Sequence, residues 1–180
     1  MAQSAADLSR SLLADPLPRR WAHCQGVAAQ AASLALILGD DADLLHAAAW
    51  LHDIGYSPNL AETGFHPLDG ARYLRDVEHA DARLCSLVAH HSYACIEAEE
   101  RGLADVLAAE FVAESDDLRA ALVYSDMTTD PDGRQVSYDE RLSEILSRYG
   151  EHDIVSISMR RAAPLVRRDL QNVTERLVNR

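Results

Sequence analysis

A histidine and an aspartate stand side by side at His52-Asp53, inside Trp50-Leu51-His52-Asp53-Ile54-Gly55. Imidazole and carboxylate together suit a divalent transition metal. On an ideal helix adjacent side chains point about 100° apart, so a helical dipeptide does not converge on one ion. At a helix end followed by glycine, the backbone can relax and let both side chains turn to one point. His23 lies upstream, and His66, the pair His90-His91 and Asp126 lie downstream. A lone inward histidine is usually a satisfied core residue. Asp126 is harder to dismiss. A carboxylate near a helix C-terminus meets the negative end of the helix dipole, and a cation would compensate it.

These residues need helices to position them. Met1 to Asp15 has a weak helical pattern that Asp15-Pro16-Leu17-Pro18 breaks. The spacing of Val27, Ala31, Leu34, Ala35 and Leu38 predicts a helix over Arg19 to Leu38, with His23 on its inward stripe. A second helix, Ala42 to His52, is almost wholly apolar and should be central. Ser57 to Gly64 reads as a loop. His66-Pro67-Leu68-Asp69 reads as a helix start, running to about Val77. Asp81 to His91 forms the next helix, and Ile96 to Gly102 reads as a polar, acidic connection. Leu103 to Phe111 and Asp116 to Met127 are predicted helices, with Asp126 on the face of Leu118, Leu122 and Val123. Asp130-Pro131-Asp132-Gly133 is a turn without calcium-loop spacing. Ser137 to Arg148 and Asp153 to Val178 complete the set, the latter expected to kink near Pro164.

Composition agrees with packed helices. The chain of 180 residues is 48% apolar but only 6% aromatic, and no period-two run is long enough for a strand. We expect one all-α domain over 1–180, with a core over 19–127 and C-terminal helices over 128–180 packing on it. The net charge of -12 argues against a nucleic-acid polymer as partner. All 17 basic residues are arginine, which excludes lysine Schiff-base chemistry and a Walker-type lysine. An anion must then be held by arginine, a metal or backbone amides. Cys24, Cys85 and Cys95 suit reduced thiols better than a disulfide framework. With no apolar leader and no run of about 18 apolar residues, the expectation is a cytoplasmic protein without a membrane partner.

The order His23, His52-Asp53, Asp126 resembles the HD-domain metal-dependent phosphohydrolases over roughly Arg19 to Met127. The resemblance implies an HD-domain-like helical bundle in which His23, His52, Asp53 and Asp126 bind one metal. Gly64-Phe65-His66-Pro67-Leu68-Asp69-Gly70-Ala71 and Leu87-Val88-Ala89-His90-His91-Ser92 are similar to segments of the two-metal members. By that likeness His66 and His91 bind a second ion, with Asp53 bridging and His90 an additional ligand or a neighbour of one. The implied cofactor is one or two divalent ions per chain, from among Fe, Mn, Mg, Ni and Zn. Tyr56 departs from the Lys that nucleotide-cleaving relatives often carry at this point.

The implied activity is hydrolysis of a small-molecule phosphate ester, with a nucleotide-derived compound among the candidates, by metal-activated hydroxide. Arg20, one turn before His23, could reach a phosphate, with solvent exposure as its bland alternative. Tyr56 could donate a hydrogen bond. Asp69 could orient water or ligand, though stabilising a first helical turn is the simpler role. Arg72 could contact phosphate or be a solvated surface residue. Some relatives with the same ligand pattern are di-iron oxygenases, so that activity is the alternative. A metal-stabilised regulatory module without turnover is a third reading. The sequence leaves a homo-oligomer open.

Overall fold

A computed structural model describes residues 1–179. The chain is all-α: α1 Ala2–Leu13, α2 Pro18–Ser33, α3 Ala35–Leu38, α4 Ala42–Leu51, α5 His66–Asp76, α6 Ala82–His90, α7 Ala94–Glu100, α8 Ala104–Glu110, α9 Asp116–Met127, α10 Tyr138–Arg148 and α11 Ile154–Val178. Short 3-10 turns lie at Gly39–Asp41, Ile54–Tyr56 and His91–Tyr93. Among the described residues no single helix is long and apolar enough to cross a membrane.

The near-apolar α4 is central, as its sequence requires. Leu44, Leu45, Ala47, Ala48, Ala49 and Leu51 are all buried, and α4 packs on α1, α2, α6 and α9. Its run of alanines lets these neighbours approach closely. The principal core draws on α1, α2, α4, α5, α6 and α9. A second, smaller cluster joins Ile96, Val123, Met127, Tyr138, Ile145, Ala162 and Val166 between α9, α10 and α11. The face of α9 thus serves both clusters, and Asp126 lies near their seam.

Two sequence expectations are corrected. The helix predicted over Arg19 to Leu38 breaks at Leu34, whose N–H closes on Ala31 O in a tight turn while the Ser33 hydroxyl donates to Gln30 O. That break buries Leu34 and leaves Leu36 exposed. The acidic stretch read as a connection is helix α7. It buries Ala94, Ile96 and Ala98 while Glu97 pairs with Arg101 one turn on. Pro164 lies inside the span of α11.

Two close approaches fix the elements that carry the histidines. A Cβ on Gly55 would lie 2.0 Å from His66 O, and one on Gly70 3.1 Å from Gly55 N. Only glycine lets the turn after Asp53 press onto the start of α5. Likewise a Cβ on Gly26 of α2 would lie 2.4 Å from Gly133 O, and Gly133 has φ +80°. The 130–133 turn therefore sits directly on the helix that bears His23.

Candidate metal centre

His52 ends α4 and Asp53 follows it out of the helix, with φ -104° and ψ 6°. This departure from helical geometry turns the neighbouring side chains toward one point. His52 Nε2 lies 3.4 Å from Asp53 Oδ2. From α2, His23 Nε2 lies 3.9 Å from the same oxygen and 3.0 Å from Asp126 Oδ1. The His52 ring also lies 3.9 Å from Asp126 Oδ1. On the other side of Asp53, Oδ1 is 3.3 Å from His66 Nε2 and 3.8 Å from His91 Nε2. The two imidazole nitrogens are themselves 3.1 Å apart. Asp53 therefore shows one oxygen to the group His23, His52, Asp126 and the other to the pair His66, His91.

Backbone carbonyls set the ring tautomers. A carbonyl can only accept, so the Nδ1 atoms of His23, His52 and His91 carry protons toward Asp130 O, Ala49 O and Val88 O, at 3.0, 2.9 and 2.7 Å. With Nδ1 engaged in this way, Nε2 of each ring is the atom that faces the centre, and a cation there would take the place of any Nε2 proton, the arrangement a metal-ligating histidine requires. Ser92 donates to Asp126 Oδ2 and orients that carboxylate. Ser92 and Tyr93 both have left-handed backbones, φ 48° and 61°, which direct the chain away after His91. For non-glycine residues this conformation costs about 1–3 kcal/mol each and is concentrated at functional sites.

The charge balance of the cluster favours a cation. Burial pushes the Asp53 carboxyl upward, but Arg20 and His52 beside it outweigh that and hold it well below the usual carboxylate range. Burial is likewise outweighed at Asp126, chiefly by the hydrogen bond from His23 and the charge of His52. Burial would lower His52, yet Asp53 and Asp126 raise it to about 9. Burial, with His66 and His52 nearby, pushes His91 down to about 3, leaving a neutral ligand. Two buried carboxylates demand positive charge, and His52 Nε2 is buried with no hydrogen-bond partner. The donor types, the inward-facing Nε2 atoms and this orphaned nitrogen fit a divalent ion on each side of Asp53. The sets His23–His52–Asp126 and Asp53–His66–His91 each converge within 4.8 Å.

Arg20 reaches the cluster directly. Its Nη1 donates to Asp53 Oδ2 at 2.7 Å, and its guanidinium lies 4.1 Å above the Tyr56 ring. Tyr56 in turn stacks on His66 with ring centres 3.9 Å apart. Arg20, Tyr56 and His66 form a layered side to the site. Burial raises the Tyr56 hydroxyl, and Asp53 adds to this, so the phenol stays protonated.

Three residues singled out in the sequence are placed elsewhere. His90 turns away from the cluster and gives its Nε2 to Phe111 O at 2.8 Å. Asp69 accepts from the backbone N–H groups of Glu62 and Thr63 and from the Thr63 hydroxyl, tying down the loop before α5. Arg72 pairs with Glu110 in α8. Both are structural ties, and neither lines the cavity over Asp53.

That cavity, ≈ 80 Å³, is lined by Arg20, Asp53, Tyr56, His66, His91 and Asp126 on one side. The opposite wall comes from Arg141, Ile145, Arg148 and Tyr149 of the α10 region and from Val155 and Met159 of α11. None of this wall stands out in the sequence as part of the site. Arg141, Ile145 and Arg148 recur at four and three on one face of α10, a pattern that by itself reads equally as a solvated face. Arg141 is 5% exposed, and its Nη1 donates to Glu144 at 2.6 Å. Its Nε–H has no acceptor. Leaving such a buried donor unpaired costs on the order of 1–3 kcal/mol.

Comparison with known proteins adds one finding. A family model described as HD domain matches residues 20–121. The match contains His23, His52, Asp53, His66 and His91 and stops just short of Asp126. No curated protein and no solved structure gives a match.

Proposed function

The chain belongs to the HD-domain family, and from that premise we propose that it is a metal-dependent phosphohydrolase acting on a small phosphate ester. The observation that carries the reading is the split of Asp53 between two sets of donors at the floor of one cavity. His23, His52 and Asp126 would hold one ion, and His66 and His91 the other, with Asp53 shared. When bound, such ions acidify a water toward neutral pH and stabilise charge on phosphoryl oxygens.

The chain's own residues supply the rest. The backbone carbonyls of Asp130, Ala49 and Val88 hold the rings of His23, His52 and His91 with Nε2 facing the centre. Ser92 fixes Asp126. Arg20 holds Asp53 ionised and places a guanidinium at the cavity edge, where a phosphoryl oxygen would compete for its donors. Tyr56 packs over His66 and keeps a protonated hydroxyl beside the cavity.

The test is a parallel screen on protein reconstituted with Mn²⁺, Fe²⁺, Ni²⁺ or Mg²⁺. Phosphate release from a panel of small phosphomonoesters is followed beside oxygen uptake. Release that disappears in Asp53→Asn is the expected result. Oxygen uptake without phosphate release would replace this reading with the oxygenase one, and neither activity would leave a binding module.

A further inference from the structure

We infer that Arg141 is the anion anchor of this site, and that the bound molecule is a small phosphorylated compound with an apolar body. The inference deepens the phosphohydrolase reading and rests on it. Arg141 lies outside the family match, on α10, yet it lines the same cavity as Asp53 and Asp126. The side chain is almost fully buried but its hydrogen bonding is incomplete: Glu144 takes Nη1, and Nε–H has no acceptor. A guanidinium offers a fork that matches two oxygens of a phosphoryl or phosphonyl group. Glu144 also accepts from Arg148 Nε at 2.8 Å, so one carboxylate orients both arginines of this wall.

The surroundings of Arg141 define the rest of the ligand. Ile145 follows one turn later on the same face, and Met127, Val155 and Met159 complete an apolar lining. The Glu97 carboxylate at the rim is engaged by Arg101 at 2.7 Å. An anionic head between Arg141 and the metal ligands would thus leave its body against aliphatic and thioether side chains. That aliphatic part of the lining suits a hydrocarbon or aryl body, with Arg148 and Tyr149 the polar groups beside it.

The experiment is calorimetric titration of the Mn²⁺-loaded protein with inorganic phosphate and with phenylphosphonate, which has no ester bond to cleave. Wild type should bind both, phenylphosphonate more tightly. Arg141→Gln should weaken both by about ten- to a hundred-fold, the loss of a charged hydrogen bond, with metal content and melting temperature kept. Should that variant lose metal or fold poorly, Arg141→Lys decides, because it retains charge without the fork. Weakened binding at full metal content supports the anchor, and wild-type affinity overturns it. A wild type that binds neither anion, or an Arg141→Gln variant with unchanged affinity, also overturns it. Phosphate binding tighter than phenylphosphonate overturns the apolar body. Intact anion binding without ester hydrolysis would defeat the proposed function and leave this inference standing.

Discussion

The two sides of Asp53 are built differently. On the Oδ2 side, His23 and His52 are 1% and 0% exposed, and both rings are clamped by backbone carbonyls. On the Oδ1 side, only His91 has such a clamp. His66 is 15% exposed, lines the cavity and is steadied by stacking on Tyr56. A rigid, dry donor set has its ordering cost met by folding, whereas a ring held by stacking must still be ordered on binding. The Oδ2 side should therefore retain an ion tightly, and the Oδ1 side should exchange its ion and face the substrate.

The largest effect belongs to Asp53. Asp53→Ala removes both shared oxygens, and we expect both ions lost by elemental analysis and phosphate release reduced to background. Next in size is Gly55→Ala, because a methyl 2.0 Å from His66 O must displace the start of α5. A loss of about 1–3 kcal/mol in denaturant unfolding is expected, the usual range for overpacking. It should come with selective weakening of the Oδ1 side in metal titration.

Smaller changes sharpen the difference between the sides. Ser92→Ala removes the donor to Asp126 and should lower affinity on the Oδ2 side by about 10–100-fold in competition with a chelator. Tyr56→Ala should loosen only the Oδ1 side, whereas Tyr56→Phe, which keeps the stacked ring, should bind metal like wild type. The smallest effect belongs to Arg72→Ala. Metal content should be unchanged, and the stability loss should be under about 1 kcal/mol, as for a partly exposed pair. The hydrogen bond from Arg72 leads the causes that bring Glu110 down to about 2. The native-state depression makes this contribution complete above the ordinary carboxylate range. It is lost as pH falls toward 2, so Arg72→Ala should flatten the acid limb of the stability profile.

Much of the candidate metal centre is legible from residue type, because histidine and aspartate at apolar helix positions are conspicuous. His66 and His91 were singled out by resemblance rather than by periodicity, since each lies at a helix boundary. The helical fold was legible from the spacing of apolar residues, but α7 was missed because its acidic face outweighs three buried positions. For Asp69 and Arg72 the sequence offers both a site role and a structural one, and it does not name the partner that decides. A side chain's partner is a tertiary fact, and Arg72 meets Glu110 only after α8 folds back. Arg141 has the converse history. On a charged amphipathic helix it reads as solvent-facing, and only the packing of α10 against α9 and α11 buries it over the cavity.

The central claim is that Asp53 joins two unequal ion sites. Elemental analysis of metal-saturated wild type and His66→Ala, each after gel filtration, tests it most directly. Two ions per chain are expected in wild type and one in the variant, that one resisting a chelator. One ion in both proteins, or loss of both ions in the variant, would contradict it.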